Sequence, residues 1–338
     1  MRLLPIVLVL LTFVGCRGSD GLNLAAAPRD GGASGTTVRA ADLCVANACG
    51  ERVPLVDIPD AENILFSDDG RLFVSGGTQV YEITKNGDQF SATPIADTSC
   101  NFTGLAIHAN TLYASCGTGP LFAGALTAQP VLTQIFTFQG FCIPNGTAIG
   151  PDGNLYVVDE PLLPTCLPPD PKIGRLKIDP ANPLNILSQE TWVQGSPLGL
   201  LFLGLDNVLR FPNGLVREGN RFYGTDGGSV YYVDLNPDGT PGPVTPIFFE
   251  VAVHDDMGLG GSDGLLVTDF ALGRILLWSR DGVLLQQTDP LTFSFPSSVR
   301  LARPPMFQPT DILVTEKGLL GDAGALPLDR LSLFRRRN

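Results

Sequence analysis

Hydrophobic and polar residues alternate along short stretches of the chain, and Gly, Asn and Asp residues separate these stretches. Alternation with a period of two is typical of β-strands, and no apolar 3.6-residue period is sustained over three turns outside the N-terminus. Asp-Gly and Gly-Asn pairs supply the positive φ that tight hairpin turns need. The pattern therefore predicts an all-β protein built from short strands and hairpins.

One unit of this pattern recurs six times. Each copy has a short apolar strand, a turn and an alternating second strand, and in four copies a third strand clearly starts near a glycine. The copies lie at residues 62–75, 103–115, 144–159, 212–226, 256–269 and, in degenerate form, 297–301 with 311–318. A β-sandwich would not explain six copies, whereas four-stranded blades around a central channel do. We therefore predict a six-bladed β-propeller over residues 43–338, in which residues 180–210 form an inserted loop or a long outer strand.

Composition and net charge limit the classes of function that the protein can have. Hydrophobic residues make up 44% of the 338 positions, enough for a large core, and 39 Gly with 28 Pro suit many turns. The net charge of −12 would repel a phosphate backbone, so we expect no nucleic-acid partner. An excess of carboxylates is compatible with a hard cation such as calcium, although solubility alone also explains it.

The N-terminus has the features of an export signal. A basic start, Met1-Arg2, precedes an apolar run over residues 3–14 that is too short to span a bilayer as a stable helix. Gly15-Cys16 at its end resembles the bacterial lipobox, which implies removal of residues 1–15 and lipidation of Cys16; a plain cleaved signal is the alternative. Residues 16–42 are rich in Gly, Ala and Ser and predict a flexible tether. We expect an exported cell-envelope lipoprotein, on the periplasmic side or at the outer membrane, bound to the membrane only through this anchor.

Six cysteines follow Cys16, and an even number in an exported chain predicts disulfides. Fifteen connectivities are possible, and the spacing favours sequential pairing because each bond then closes a short loop. A structural zinc site would prefer C-x-x-C spacings, and the sequence has none. The predicted pairs are Cys44 with Cys49, Cys100 with Cys116, and Cys142 with Cys166.

The first strand of each blade lines the channel of a propeller, so equivalent residues at the six strand starts form a ring. Four of the six carry an amide or carboxylate oxygen, which predicts an oxygen-rich cage for calcium. Magnesium would keep more of its water, and zinc would need His or Cys ligands. The ring candidates are Glu62, Thr103, Asn145, Asn213, Asp256 and Ser297.

The Pro-Asn-Gly units at 144–146 and 212–214 and the Leu-Tyr-Val-Val-Asp strand at 155–159 resemble the SMP-30, gluconolactonase and paraoxonase superfamily, over roughly residues 55–335. The resemblance implies a tunnel calcium held by one Glu, two Asn and one Asp. The matching residues are Glu62, Asn145, Asn213 and Asp256. Because the chain reads His254-Asp255-Asp256 where the family often has Pro-Asp-Gly, the choice between Asp255 and Asp256 is open by one residue.

The resemblance implies a hydrolase in which calcium polarises the carbonyl of a small lactone or ester and Asp256 acts as the base. His254, two residues away, is a second candidate for proton transfer. No Walker motif or Rossmann fingerprint is present. We therefore expect a monomeric calcium-dependent lactonase or arylesterase, and the alternative is a non-catalytic propeller lipoprotein that binds a ligand or a protein.

Overall fold

Strands dominate the part of the chain that a computed structural model describes, which is residues 37–96, 98, 100–161, 166–196, 207–318 and 329–337. The predicted signal segment, Cys16 and most of the predicted tether lie outside these residues. Within the same ranges, no helix is long and apolar enough to cross a membrane. A short 3-10 helix, Ala40–Asp42, precedes the first strand.

The described residues form twenty-four strands in six four-stranded antiparallel sheets, which confirms the predicted six-bladed propeller. Blades one to five each use four consecutive strands, and the chain runs from the channel outwards in each blade. The bounds are, for blade one, β2 (Ala61–Phe66), β3 (Leu72–Gly76), β4 (Gln79–Asn86) and β5 (Gln89–Pro94); for blade two, β6 (Phe102–His108), β7 (Thr111–Cys116), β8 (Pro120–Ala125) and β9 (Thr133–Thr137); for blade three, β10 (Pro144–Ile149), β11 (Leu155–Asp159), β12 (Lys172–Asp179) and β13 (Asn182–Gln194); for blade four, β14 (Pro212–Glu218), β15 (Arg221–Asp226), β16 (Ser229–Asp234) and β17 (Thr245–Phe249); for blade five, β18 (His254–Leu259), β19 (Gly264–Asp269), β20 (Arg274–Ser279) and β21 (Leu284–Gln287).

Blade six closes the ring with strands from both ends of the chain. Its inner strands are β22 (Pro296–Leu301), β23 (Ile312–Lys317) and β24 (Asp329–Arg336), and its outer strand is β1 (Gly50–Asp57). β1 pairs antiparallel with β24, from Gly50 opposite Arg336 to Asp57 opposite Arg330. This pairing covers an edge of β24 that would otherwise present unpaired backbone groups.

The segment before β1 contacts blade five a few residues before Leu43, where we predict that the propeller begins. The Ser262 amide donates to the Val38 carbonyl over 2.9 Å, and the Ala40 amide donates to Asp263 Oδ1 over 2.7 Å. Both partners lie in the turn between β18 and β19. The N-terminal segment is therefore held against blade five before it enters blade six as β1.

Aromatic side chains fill the space between blades three and four. Trp192 lies 4.8 Å from Tyr156 and 5.3 Å from Phe222, measured between ring centroids. Trp192 is on β13, whose 13 residues make it the long outer strand that was one of the two expectations for residues 180–210. Such aromatic pairs add about 0.5–1.5 kcal/mol to the effect of burial alone.

The three disulfides follow the sequential pairing that the spacing predicts. Their Cα atoms lie 5.9, 5.7 and 5.8 Å apart in the bonds Cys44–Cys49, Cys100–Cys116 and Cys142–Cys166. Each bond closes a short loop. Crosslinks of this kind typically stabilise a fold by about 2–4 kcal/mol.

Candidate functional site

Every blade has the same irregularity at the start of its first strand. In blade one, Ala61 pairs with Gly76 and Ile64 pairs with Val74, so Glu62 and Asn63 together face one residue of β3, Ser75. Two residues opposite one is a β-bulge, which turns the extra side chain out of the ladder. The first bulge residues of the six blades are Glu62, Thr103, Asn145, Asn213, Asp255 and Ser297.

Buried hydroxyls hold these bulges in place. In four blades a Ser or Thr of the second strand accepts a hydrogen bond from the amide of the second bulge residue, for example Ser75 Oγ from Asn63 over 3.0 Å and Thr225 Oγ1 from Gly214 over 2.8 Å. Thr268 and Thr315 do the same in blades five and six. The signal in the sequence is a Ser or Thr one or two residues before the end of the second strand, and the prediction of the blades did not depend on it.

The glycines of the Pro-Asn-Gly units allow close approach between blades and do not form turns. A Cβ atom on Gly146 would collide with the backbone of Asn213 and Gly214, and a Cβ on Gly214 would collide with Asp256. Both glycines occupy the second bulge position. The motif therefore marks a bulge pressed against the neighbouring blade.

The common register assigns the blade-five ring position to Asp255. Asp256 is equivalent to Gly146 and Gly214, and its carboxylate reaches into blade six. There Asp256 Oδ2 accepts a hydrogen bond from Ser298 Oγ over 2.7 Å and lies 2.8 Å from the Arg300 guanidinium. The metal-binding and catalytic roles expected of Asp256 stay predictions. Its contacts with Ser298 and Arg300 favour a structural role, in which Asp256 connects blades five and six.

Two ring residues are used to join blades. Thr103 Oγ1 donates to the Pro144 carbonyl, and Ser297 Oγ donates to the Ala61 carbonyl over 2.7 Å. Four first bulge residues with carboxylate or amide oxygens remain for a ligand: Glu62, Asn145, Asn213 and Asp255.

The ends of two second strands add a carboxylate and an ammonium group that sequence reasoning missed. Glu160, directly after β11, accepts a hydrogen bond from Asn145 Nδ2 over 2.9 Å. Lys317, the last residue of β23, contacts Glu62 Oε2 with its Nζ atom. We call Glu62, Asn145, Glu160, Asp255 and Lys317 the mouth cluster, since they meet where the first strands begin.

The ionisable groups of the mouth cluster influence one another's pKa values. Burial raises the pKa of Asp255, and the carboxylate of Glu62 raises it further. Burial also raises the pKa of Glu62 and of Glu160, in both cases against the effect of Lys317. Burial alone would lower the pKa of Lys317, but Glu62 is the main cause of a net rise. With all groups ionised, three carboxylates and one ammonium leave two negative charges uncompensated.

The donor chemistry of the mouth cluster fits a hard divalent cation. Asn145 Oδ1 is buried and accepts no hydrogen bond from any residue in the described ranges, and calcium prefers carboxylate and amide oxygens. One divalent ion would also balance the uncompensated charge. Across residues 37–318 and 329–337, apart from the undescribed positions, no three His, Cys, Asp or Glu side chains converge as a metal site on their own. The candidate ligand set therefore includes the amide oxygen of Asn145 besides the carboxylates.

His254 lies in the body of blade five. It is 2% exposed, its Nε2 atom is 3.5 Å from Glu250 Oε1, and its ring meets the edge of Phe248 at a centroid distance of 5.9 Å. Burial lowers the pKa of His254 to about 4, so the imidazole is neutral near pH 7. Its contacts are those of a packed side chain, and the expected role in proton transfer stays a prediction.

Burial of a neutral His254 predicts acid sensitivity. The unfolded chain takes up a proton near pH 6.5, whereas the folded chain does so only near pH 4, so stability is lost as the pH falls through that window. The difference corresponds to about 3 kcal/mol. Denaturant unfolding at pH 7 and pH 4.5 should show a smaller loss for His254→Gln than for the wild type, and His108→Gln should behave as the wild type. An equal loss in His254→Gln would contradict the assignment.

An apolar rim borders the mouth cluster on the side of blade five. Phe270 follows β19 at the position equivalent to Glu160 and Lys317, and its ring lies 5.1 Å from that of Phe295. The Phe295 carbonyl accepts a hydrogen bond from the Lys317 amide over 3.0 Å. Exposed side chains continue this surface on the adjacent loops: Val251 (92% exposed), Val253, Leu272 and Leu291 (83% exposed).

Comparison with solved structures identifies the fold. A luciferin-regenerating enzyme superposes with a TM-score of 0.61 at 14% identity, over 86% of this chain and 95% of that one. A regucalcin from Agrobacterium tumefaciens, described as a calcium-binding protein, gives 0.60 at 13% identity, over 86% and 95%. A gluconolactonase from Xanthomonas campestris gives 0.60 at 16% identity, over 85% and 90%. The chain has the fold of the regucalcin and gluconolactonase propellers.

At these identities the likeness to the regucalcin and gluconolactonase propellers concerns the fold alone. No protein-family model matches the sequence, and no curated protein matches it.

Proposed function

We propose that this protein hydrolyses lactones or esters with the help of a calcium ion at the tunnel mouth. The observation that carries the proposal is the mouth cluster, in which three buried carboxylates outnumber one ammonium and Asn145 Oδ1 accepts no hydrogen bond from the described part of the chain. Buried charge of one sign is costly unless a counter-ion compensates it. Glu62, Asn145 and Asp255 would hold the ion, with Asn213 at the fourth oxygen-bearing ring position.

Glu160 and Asn145 have separate tasks in this mechanism. A bound calcium ion would polarise the substrate carbonyl and stabilise the negative charge that develops on its oxygen. Glu160 accepts the proton of the attacking water; burial raises the pKa of this carboxylate, which makes it a stronger base. Asn145 orients Glu160 through its Nδ2 hydrogen bond, and Oδ1, on the other side of the amide, accepts none from the residues that the structure describes.

The apolar rim favours an uncharged substrate with an apolar arm. Phe270 and Phe295 offer a partly exposed aromatic surface next to Lys317. An acyl chain or aryl group on this surface would bring the carbonyl over the mouth cluster.

We also propose that the protein acts outside the cytoplasm, held at the cell envelope through a lipid on Cys16. The six cysteines of the propeller form three disulfides, which persist in oxidising compartments. A monomer attached to a membrane by this lipid alone is the form that we expect.

A substrate panel tests the proposed activity. The protein lacking residues 1–16 is expected to hydrolyse aryl esters and long-chain acyl lactones, with a lower kcat/KM for sugar lactones that lack an apolar arm. Chelator is expected to abolish this activity and added calcium to restore it. Turnover that is unaffected by chelator would remove the metal from the mechanism. No turnover of any ester or lactone would favour the non-catalytic binding protein.

A further inference from the structure

Lys317 lies between two carboxylates at the tunnel mouth. Its ammonium contacts Glu62 Oε2 and is 3.4 Å from Asp60 Oδ1. The Glu62 side chain is almost completely buried, whereas that of Asp60 is 41% exposed at the rim. One cation of the chain therefore has two acceptors, an inner one in the mouth cluster and an outer one in contact with water.

A divalent cation and the Lys317 ammonium would compete for the carboxylate of Glu62. The oxygen of Glu62 that Lys317 contacts belongs to the carboxylate at the first ring position, which is the proposed calcium ligand. An ammonium group beside an incoming divalent ion is repelled by it, and this repulsion is strong at a buried site. Binding of the ion at Glu62 thus disfavours the ammonium beside this carboxylate.

The backbone around Lys317 is fixed, so the side chain alone has to move. The Lys317 amide donates to Phe295 and the Gly318 amide to Ser294, over 3.0 and 3.2 Å. Asp60 is fixed as well, because its amide donates to Asp329 Oδ2 over 3.1 Å. A lysine side chain has enough rotatable bonds to transfer Nζ from Glu62 to Asp60 over this short distance.

We propose that Lys317 is a built-in counter-cation that occupies Glu62 when the tunnel mouth holds no metal and transfers to Asp60 when a divalent cation binds. This inference rests on the proposed metal site and adds a regulation of it: the chain's own ammonium competes with the ion. Asp60 is then a positioning residue, since it keeps Lys317 paired in the metal-bound form.

Calcium titration calorimetry of the folded propeller, without any substrate, tests the competition. Lys317→Met is expected to bind calcium at least about tenfold more tightly than the wild type, because the competitor is removed. Asp60→Asn is expected to bind it more weakly, because Lys317 loses its outer acceptor. In the double variant, Asp60→Asn should have little further effect, since Asp60 acts through Lys317. Lys85→Met, at an exposed lysine on β4 that contacts the Met306 carbonyl, is the matched control and should bind calcium as the wild type does.

Thermal melts keep the test decisive if Lys317→Met is unstable. Without its ammonium the mouth cluster has only negative charge, so this variant should melt lower than the wild type in chelator and gain more from calcium. If Lys317→Met does not fold under either condition, Asp60→Asn decides the question, and unchanged calcium affinity in Asp60→Asn overturns the inference.

The outcomes separate the switch from the metal site. Calcium binding by the wild type with no change in Lys317→Met overturns the switch and leaves the proposed function standing. Equal effects of Asp60→Asn in the presence and absence of Lys317 also overturn it, because Asp60 would then act on the ion directly. No calcium binding by the wild type or by any variant overturns both.

Discussion

Asp255→Asn is expected to abolish the stabilisation of the protein by calcium and to lower ester or lactone turnover by about 100-fold or more. The substitution removes one of the charges that would hold the ion while it preserves the shape of the side chain. Because burial disfavours the charged form of Asp255, the variant should fold, and in chelator it should melt no lower than the wild type. Melting with and without calcium, followed by kinetics, measures both effects.

Asp256→Asn is the matched control, at the next residue of the same strand. Its carboxylate lies against Arg300 and Ser298, so the substitution should lower the melting temperature through the loss of a buried ion pair. The shift produced by calcium should remain. The reverse pattern, in which Asp256→Asn loses the calcium response and Asp255→Asn retains it, would restore Asp256 as the ligand.

Glu316→Ala is expected to have the largest effect on stability, a loss of about 3–5 kcal/mol in the free energy of unfolding. Glu316 is 0% exposed and lies at the junction that closes the ring. Its carboxylate accepts hydrogen bonds from Arg52 on β1, from Ser332 on β24 and from the Ser294 amide before β22. The substitution would leave the buried donors without partners and weaken the attachment of β1.

Denaturant unfolding with Glu51→Ala as control measures this effect. Glu51 also joins β1 to β24, through Arg335, but both side chains are more than 40% exposed, so its loss should cost less than about 1 kcal/mol. Similar losses in the two variants would contradict the role of Glu316 in closure.

Much of the fold was predictable because its elements are local. Hairpins place neighbouring strands side by side, so the repeat of one unit gives both the number of blades and their order. The disulfides are equally local, and their pairing followed from spacing. The closing strand β1 joins residues almost three hundred positions away, and no repeat marks it.

The candidate site was predictable only in part. Five of the six predicted ring positions coincide with the first bulge residues. Two of them, Asn145 and Asn213, were recognisable because each begins an Asn-Gly copy. Blade five has two adjacent aspartates, and only the bulge held by Thr268 distinguishes them. Glu160 and Lys317 belong to second strands, whose ends reach the mouth only after the blades assemble around the tunnel.

A crystal structure of the protein grown with calcium tests the central claim most directly. The account predicts one calcium ion at the tunnel mouth, bound by oxygens of Glu62, Asn145 and Asp255, with Lys317 Nζ moved towards Asp60. A mouth without an ion at saturating calcium, with Lys317 still on Glu62, would contradict it.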